Sequence, residues 1–134
     1  MKKKFSTSWN SSSQPRKQRK YIANAPLHKR HKFLNANLSK DLRKKYGKRS
    51  LPLRKGDEVL VMRGAFRKKK AKITSVNLKN IMITLEGIQR TKKDGSKVNI
   101  KFHPSSLQIH TLNLDDKERL AILQRKGEKK NVSN

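Results

Sequence analysis

Between positions 51 and 110 the hydrophobic pattern has a period close to two. The segments 57–63, 71–78, 80–86, 98–102 and 107–110 either alternate apolar with polar residues or run apolar. Successive side chains of an extended chain point to opposite faces, so each segment predicts a strand. Turn material separates them: Gly64 and the residues after it, Lys79-Asn80, the Asp94-Gly95 pair, and His103-Pro104-Ser105. An Asp-Gly pair is a tight-hairpin signal. Ile81, Ile83 and Leu85 are expected on one face, opposite a row of Val98, Ile100 and Phe102. Five short strands in 60 residues predict a small, strongly bent antiparallel barrel, and hence a mainly β fold class.

The flanks follow other rules. Leu34, Leu38, Leu42 and Tyr46 recur every four residues, which predicts one helical stripe. Ser39 or Asn37 can cap its start, and Gly47 can end it. The stripe is narrow, so this helix must dock on something. Upstream, Pro15 and Pro26 are expected to discourage helix. Residues 111–126 predict a terminal helix, with Asp115 as its cap, Glu118 completing a capping box, and Leu120 and Leu123 on one side. The expected organisation is a disordered tail over 1–13, a basic extension with a short helix over 14–50, a barrel over 51–110, and a helix with a frayed tail over 111–134.

Charge changes this picture most. The 134 residues hold 36 Lys and Arg against nine Asp and Glu, a net charge of +27. The extension alone carries thirteen cations and one acid, Asp41. So basic a chain cannot bury most of its length; a small core with arms that are flexible or ordered by RNA is expected. The partner implied is a polyanion, above all nucleic acid. A membrane is not expected: no run of about 18 apolar residues exists, and no basic helix has a broad apolar face. The start, MKKKFSTSWNSSS, lacks the apolar stretch of a secretory signal, so an intracellular, unprocessed chain is expected. With no cysteine, disulfides and thiolate metal sites are excluded.

Candidate chemistry is sparse. Asp57 and Glu58 are neighbours on a predicted strand and point apart, so they form no acid–base dyad. Asp115 and Asp116 suit a helix N-terminus. No serine stands in a recognisable order with a histidine and an acid. An enzyme is therefore not expected. His28 and His31 would need two further ligands to hold zinc, and imidazoles in a basic arm suit bases and phosphates better; no metal or cofactor is expected. Two basic constellations remain. In the arm RKQRKYIANAPLHKRHKF, cations alternate with Tyr21 and Phe33, which suits phosphates and unpaired bases. In RGAFRKKKAK, four consecutive cations at 67–70 follow Gly64 between two strands. A loop tip there reaches phosphates without disturbing a core, and Gly64 permits a tight turn.

The stretch RKGDEVLVMRGAFRKKKAKITSV resembles a KOW motif. LEGIQRTKKDGSKV resembles the segment that follows it in one family, the universal large-subunit ribosomal proteins numbered twenty-four, whose eukaryotic counterpart is numbered twenty-six. The arm through RKGDEV is similar to the extension of the archaeal and eukaryotic branch. The resemblance spans residues 14–125. It implies an SH3-like KOW barrel, binding to the 5′ domain of large-subunit rRNA, early assembly, and a place near the polypeptide exit tunnel of the cytoplasmic ribosome. Neighbouring ribosomal proteins are implied as partners, and no homo-oligomer is expected. The rRNA-binding residues expected are Arg16, Lys17, Arg19, Lys20, Tyr21, His28, Lys29, Arg30, His31, Lys32, Arg43, Lys44, Lys48 and Arg49 in the extension, and Arg63, Gly64, Arg67, Lys68, Lys69, Lys70, Lys72, Arg90, Lys92 and Lys93 beyond it. Family members usually carry glycine where this chain has Ala71, and often where it has Lys68. That departure implies an altered loop path and one more phosphate contact. A transcription elongation factor shares the KOW unit, but this chain has no room for the α/β domain that normally precedes it. A basic chromatin protein would show Ala/Lys/Pro-rich repeats, which are absent.

Overall fold

The computed structural model describes residues 4–125. In chain order, a 3-10 turn (Thr7–Ser11) leads to α1 (Pro15–Asn24), α2 (Leu27–Phe33), β1 (Asn35–Leu38), α3 (Lys40–Tyr46), β2 (Ser50–Pro52), β3 (Glu58–Val61), β4 (Lys70–Asn77), β5 (Met82–Thr91), β6 (Lys97–Phe102), a second 3-10 turn (Pro104–Ser106), β7 (Leu107–Thr111) and α4 (Lys117–Gln124). All five alternating segments become strands, β3 to β7. The strands form one sheet in the order β2-β1-β7-β3-β4-β5-β6. Every pairing is antiparallel except β1 with β7. The architecture is mixed, with four helices and seven strands among the described residues, rather than mainly β with five.

The two additional strands come from the extension, and their origin is an ambiguity of period. A spacing of four satisfies a helix, but it is also twice the strand repeat. Leu34 closes the end of α2, and in β1 beyond it Ala36 and Leu38 are buried while Asn35 is exposed, so the leucine series turns extended before it reaches Leu38. The helix starts only at Lys40. Ser39 caps it, its hydroxyl accepting from the Leu42 amide at 3.4 Å, and Gly47 ends it at φ 61°, a left-handed conformation that glycine adopts without a Cβ penalty. The prolines begin helices instead of preventing them. Pro15 is the first residue of α1 and Pro26 immediately precedes α2. An amide at a helix start has no intrahelical partner, so proline loses nothing there.

β5 continues beyond Glu86, and its register with β6 shifts between Thr84 and Gln89. Phe102 therefore faces Ile83 and is buried, whereas Val98 faces Arg90 and is 41% exposed. Val98 does not join the expected apolar row. Ile81, in the turn before β5, has φ 54°. That conformation costs about 1–2 kcal/mol; its burial contributes about 1.5–3 kcal/mol, so packing holds the turn.

A single hydrophobic core joins the strands to the extension and the last helix. Val59, Val61, Ile83, Leu85, Leu107 and Ile109 are buried with Leu34, Leu38, Leu51 and Leu53, and Leu123 of α4 closes it. The cap of α4 is Asp116, not Asp115: its carboxylate accepts from the Glu118 amide at 2.9 Å, while the Asp115 amide donates to Asn113. A buried ion pair fixes α4 to the start of β3. Arg119 donates twice to Asp57, Nη1 to Oδ1 and Nη2 to Oδ2, each at 2.6 Å. The same carboxylate accepts from the amides of Arg54 and Asn113, and Arg119 also donates to the carbonyls of Asn113 and Pro52. The expected frayed tail from Gly127 lies outside the described residues.

Candidate nucleic-acid interface

Strand direction places the basic connections. β4 and β5, and β5 and β6, run antiparallel, as do β3 and β4. The β3–β4 and β5–β6 connections therefore leave the sheet at the same end, where β4 begins and β5 finishes. The first presents Arg63, Gly64, Arg67, Lys68, Lys69 and Lys70, all exposed, with exposed Lys72 on β4 behind them. The second presents Arg90, Lys92 and Lys93, also exposed.

The β3–β4 loop is tied to itself. The Val61 amide donates to the Lys69 carbonyl at 2.9 Å, and the Lys68 amide returns a bond to the Val61 carbonyl at 2.8 Å. Gly64 turns the chain at φ 88°, and its carbonyl accepts from the Arg67 amide at 3.1 Å. Phe66 is half-buried and meets Phe102 edge-on, centroids 6.3 Å apart. This one large apolar side chain beside the cationic run anchors the loop inward, and the cations stand outward. Lys68 itself has φ 70°. A lysine here takes the left-handed conformation that a glycine would supply, which argues against an altered loop path; Ala71 lies in β4, paired with Val59. In the β5–β6 turn, Asp94 accepts from the Ser96 hydroxyl at 2.7 Å and the Ser96 amide at 2.9 Å. These bonds to the charged form, the hydroxyl first, hold the Asp94 carboxyl below its ordinary value.

The extension supplies a further part of the positive surface. Arg16, Lys17, Arg19 and Lys20 are exposed on α1; His28, His31 and Lys32 are exposed on α2, and Lys29 is half-buried; Lys44 and Arg49 are exposed at and after α3. No acid precedes Asp41, so nothing in the first two helices neutralises them. Three candidates have internal work. Arg30 donates to the carbonyls of Ala25 and Ala23 at the end of α1, Arg43 donates to the Leu38 carbonyl at 2.9 Å, and Lys48 donates to the Ile122 carbonyl. Tyr21 is buried; its ring stacks on Phe5 at 5.0 Å and meets Phe33 at 5.9 Å. It is an anchor for the arm rather than an open stacking platform. Phe33 packs against the core, so a chain of rings carries order outward to the first turn. His103 bonds with Ser105, and among the described residues no three or more His, Cys, Asp or Glu side chains gather so as to hold a metal ion. No helix among them is long and apolar enough to cross a membrane. Trp9, half-buried beside Lys17 and Lys20, was not among the expected residues; its signal in the sequence is a lone tryptophan in a Ser-rich basic segment.

A small mixed α/β unit with exposed cations over much of its surface, including runs of them on two loops and two acid-free helices, defines a class: a basic protein built to lie against a polyanion. The family is specific. A model of the ribosomal protein family called L26 in eukaryotes and L24 in archaea matches residues 12–126, and the chain belongs to that family. It is 48% identical over 118 residues to the large ribosomal subunit protein uL24 of Korarchaeum cryptofilum, covering 88% of this chain and 90% of that one. It is 46% identical over 115 residues to the large ribosomal subunit protein uL24 of Methanosphaera stadtmanae, covering 86% and 98%.

Proposed function

We propose that this protein is a structural constituent of the large ribosomal subunit, held on large-subunit rRNA by its arm and its two basic loops. It is no enzyme; its place is the ribosome in the cytoplasm, and its other partners are neighbouring ribosomal proteins. The observation that carries the reading is the unbalanced cation surface of a chain in this ribosomal family. Nine acids cannot offset 36 cations, and two of those acids, Asp57 and Asp116, are already paired with Arg119 and Arg54. Phosphates supply the missing charge, and each one neutralised releases counterions. The candidate contacts are the exposed cations of α1, α2 and the β3–β4 and β5–β6 loops, with Tyr21 as an anchor behind them. The family resemblance supports the 5′ domain of the rRNA, near the exit tunnel, and entry early in assembly. β3 to β7 are read as the SH3-like KOW barrel. In support, Phe66 of the β3–β4 loop touches Phe102 of β6, two strands beyond β4, so the sheet curls strongly.

Sedimentation through high salt is the test. The tagged protein is expected to travel with the large subunit. Travel with RNA polymerase would instead make it an elongation factor, and travel with DNA a chromatin protein.

A further inference from the structure

Trp9 is the only tryptophan of the chain, and it does not pack against the hydrophobic core. A Ser-rich segment has little reason to order itself, yet this one is held from two sides. Gln18 of α1 donates through Nε2 to the carbonyls of Asn10 and Ser12 at 2.9 and 2.6 Å. Upstream, Phe5 stacks on Tyr21. The turn closes on itself through the Ser11 hydroxyl, which donates to the Ser8 carbonyl at 2.9 Å. This scaffold sets the indole beside Lys17 and Lys20, which lie three residues apart and so share one face of α1. Together with Ser8, Ser11 and Ser12 they line a half-open cavity of about 340 Å³, at the small end of the roughly 300–1,000 Å³ range of ligand sites.

The residues that line it carry three kinds of group: one indole, two ammonium groups and three hydroxyls. An aromatic face takes a flat π-system, and lysines are point-charge partners for phosphate. A nucleotide carries both groups at short separation. We propose that this cavity holds one unpaired nucleotide of RNA, its base against the Trp9 indole and its phosphate between Lys17 and Lys20. The base must be unpaired, because a duplex hides the faces of its bases in its own stack. The inference rests on the RNA-binding reading and makes it local: most cations bind backbone without regard to sequence, whereas this cavity selects a place where a nucleotide is free.

The test uses the full chain and two RNAs, a hairpin with one bulged nucleotide and the same hairpin fully paired. Labelled-RNA anisotropy reports affinity, and the single tryptophan reports stacking directly. The bulged RNA is expected to quench Trp9 emission, and the paired RNA to bind more weakly without quenching. Trp9→Leu should weaken bulged-RNA binding by about tenfold and leave the salt slope and the paired-RNA affinity unchanged, while Trp9→Phe restores most of the loss. Lys17→Gln with Lys20→Gln should together flatten the log–log salt slope by about 0.7, for the one phosphate they share. Circular dichroism of the Trp9 variants checks that the fold is kept. Equal quenching by both RNAs, or binding without quenching, would overturn the nucleotide site and leave the RNA-binding reading standing. Failure of the wild-type chain to bind either RNA would overturn both.

Discussion

Asp57 and Arg119 stand 62 positions apart and meet in the dry interior. Neither has water to fall back on, so removing one partner strands the other as an unpaired buried charge. Asp57→Asn should therefore destabilise the protein by about 3–5 kcal/mol, read as a lower urea midpoint with an unchanged slope. A buried pair can often be exchanged for apolar residues at little loss, but this one has further duties. It satisfies two amides and two carbonyls, each costing about 1–3 kcal/mol if left unmade in the interior. Asp57→Leu with Arg119→Met should consequently remain well below the wild type, and full recovery would show that water reaches those groups. Lys68 poses the opposite balance. Its left-handed backbone costs about 1–2 kcal/mol, and Lys68→Gly removes that strain while adding freedom to the unfolded chain. The variant should gain up to about 1 kcal/mol of stability and bind RNA with a salt slope smaller by about 0.7. Stability and affinity moving together would refute a phosphate-binding role for Lys68.

The strands with a clean period of two were legible because alternation and burial coincide, as in Val59 and Val61 or Ile83 and Leu85. Gly47 and Ser39 were legible because cap chemistry is local. What was hidden depends on distant chain. β1 is extended because β7 and β2 pair with it on either side, which no spacing of leucines reveals. The partner of Asp57 lies beyond five strands. Tyr21 is buried because Phe5 and Phe33 come to it, whereas the run of cations just before it in the sequence pointed to a surface role. The β3–β4 loop was legible in its charge but not in its anchor, Phe66. Changing positions 67–70 all to Ser tests the division of labour. Phe66 and the backbone bonds of the loop remain, so the thermal midpoint should hardly move. If two to four phosphate contacts are lost, the log–log salt slope should flatten by roughly 1.5–3.5, about equally on cognate and unrelated RNA, because lysines bind charge rather than sequence. A loss confined to cognate RNA would mean that the tip reads bases.

The whole chain sets two opposing electrostatic demands. Its net charge of +27 repels itself when the protein is free, and nine acids are too few to offset that. The Arg54–Asp116 pair is partly exposed and contributes at most about 1 kcal/mol. Added salt shortens the screening length from about 30 Å at 0.01 M to about 10 Å at 0.1 M, and repulsion between helices and loops weakens accordingly. The free protein should therefore become more stable as salt rises through this range. RNA affinity should fall over the same range, because less is gained by releasing counterions. The arm is the sensitive part: α1 carries four cations and no acid and is held by the ring contacts of Tyr21 and the Arg30 bonds to carbonyls at its end, so its amides should exchange faster than those of β3 or β7 at low salt and gain protection from either salt or RNA. Thermal melts and amide exchange across a salt series, beside RNA titrations in the same buffers, read both trends. If stability fell with salt, internal ion pairs would outweigh self-repulsion, and the idea that a polyanion supplies the missing charge would fail.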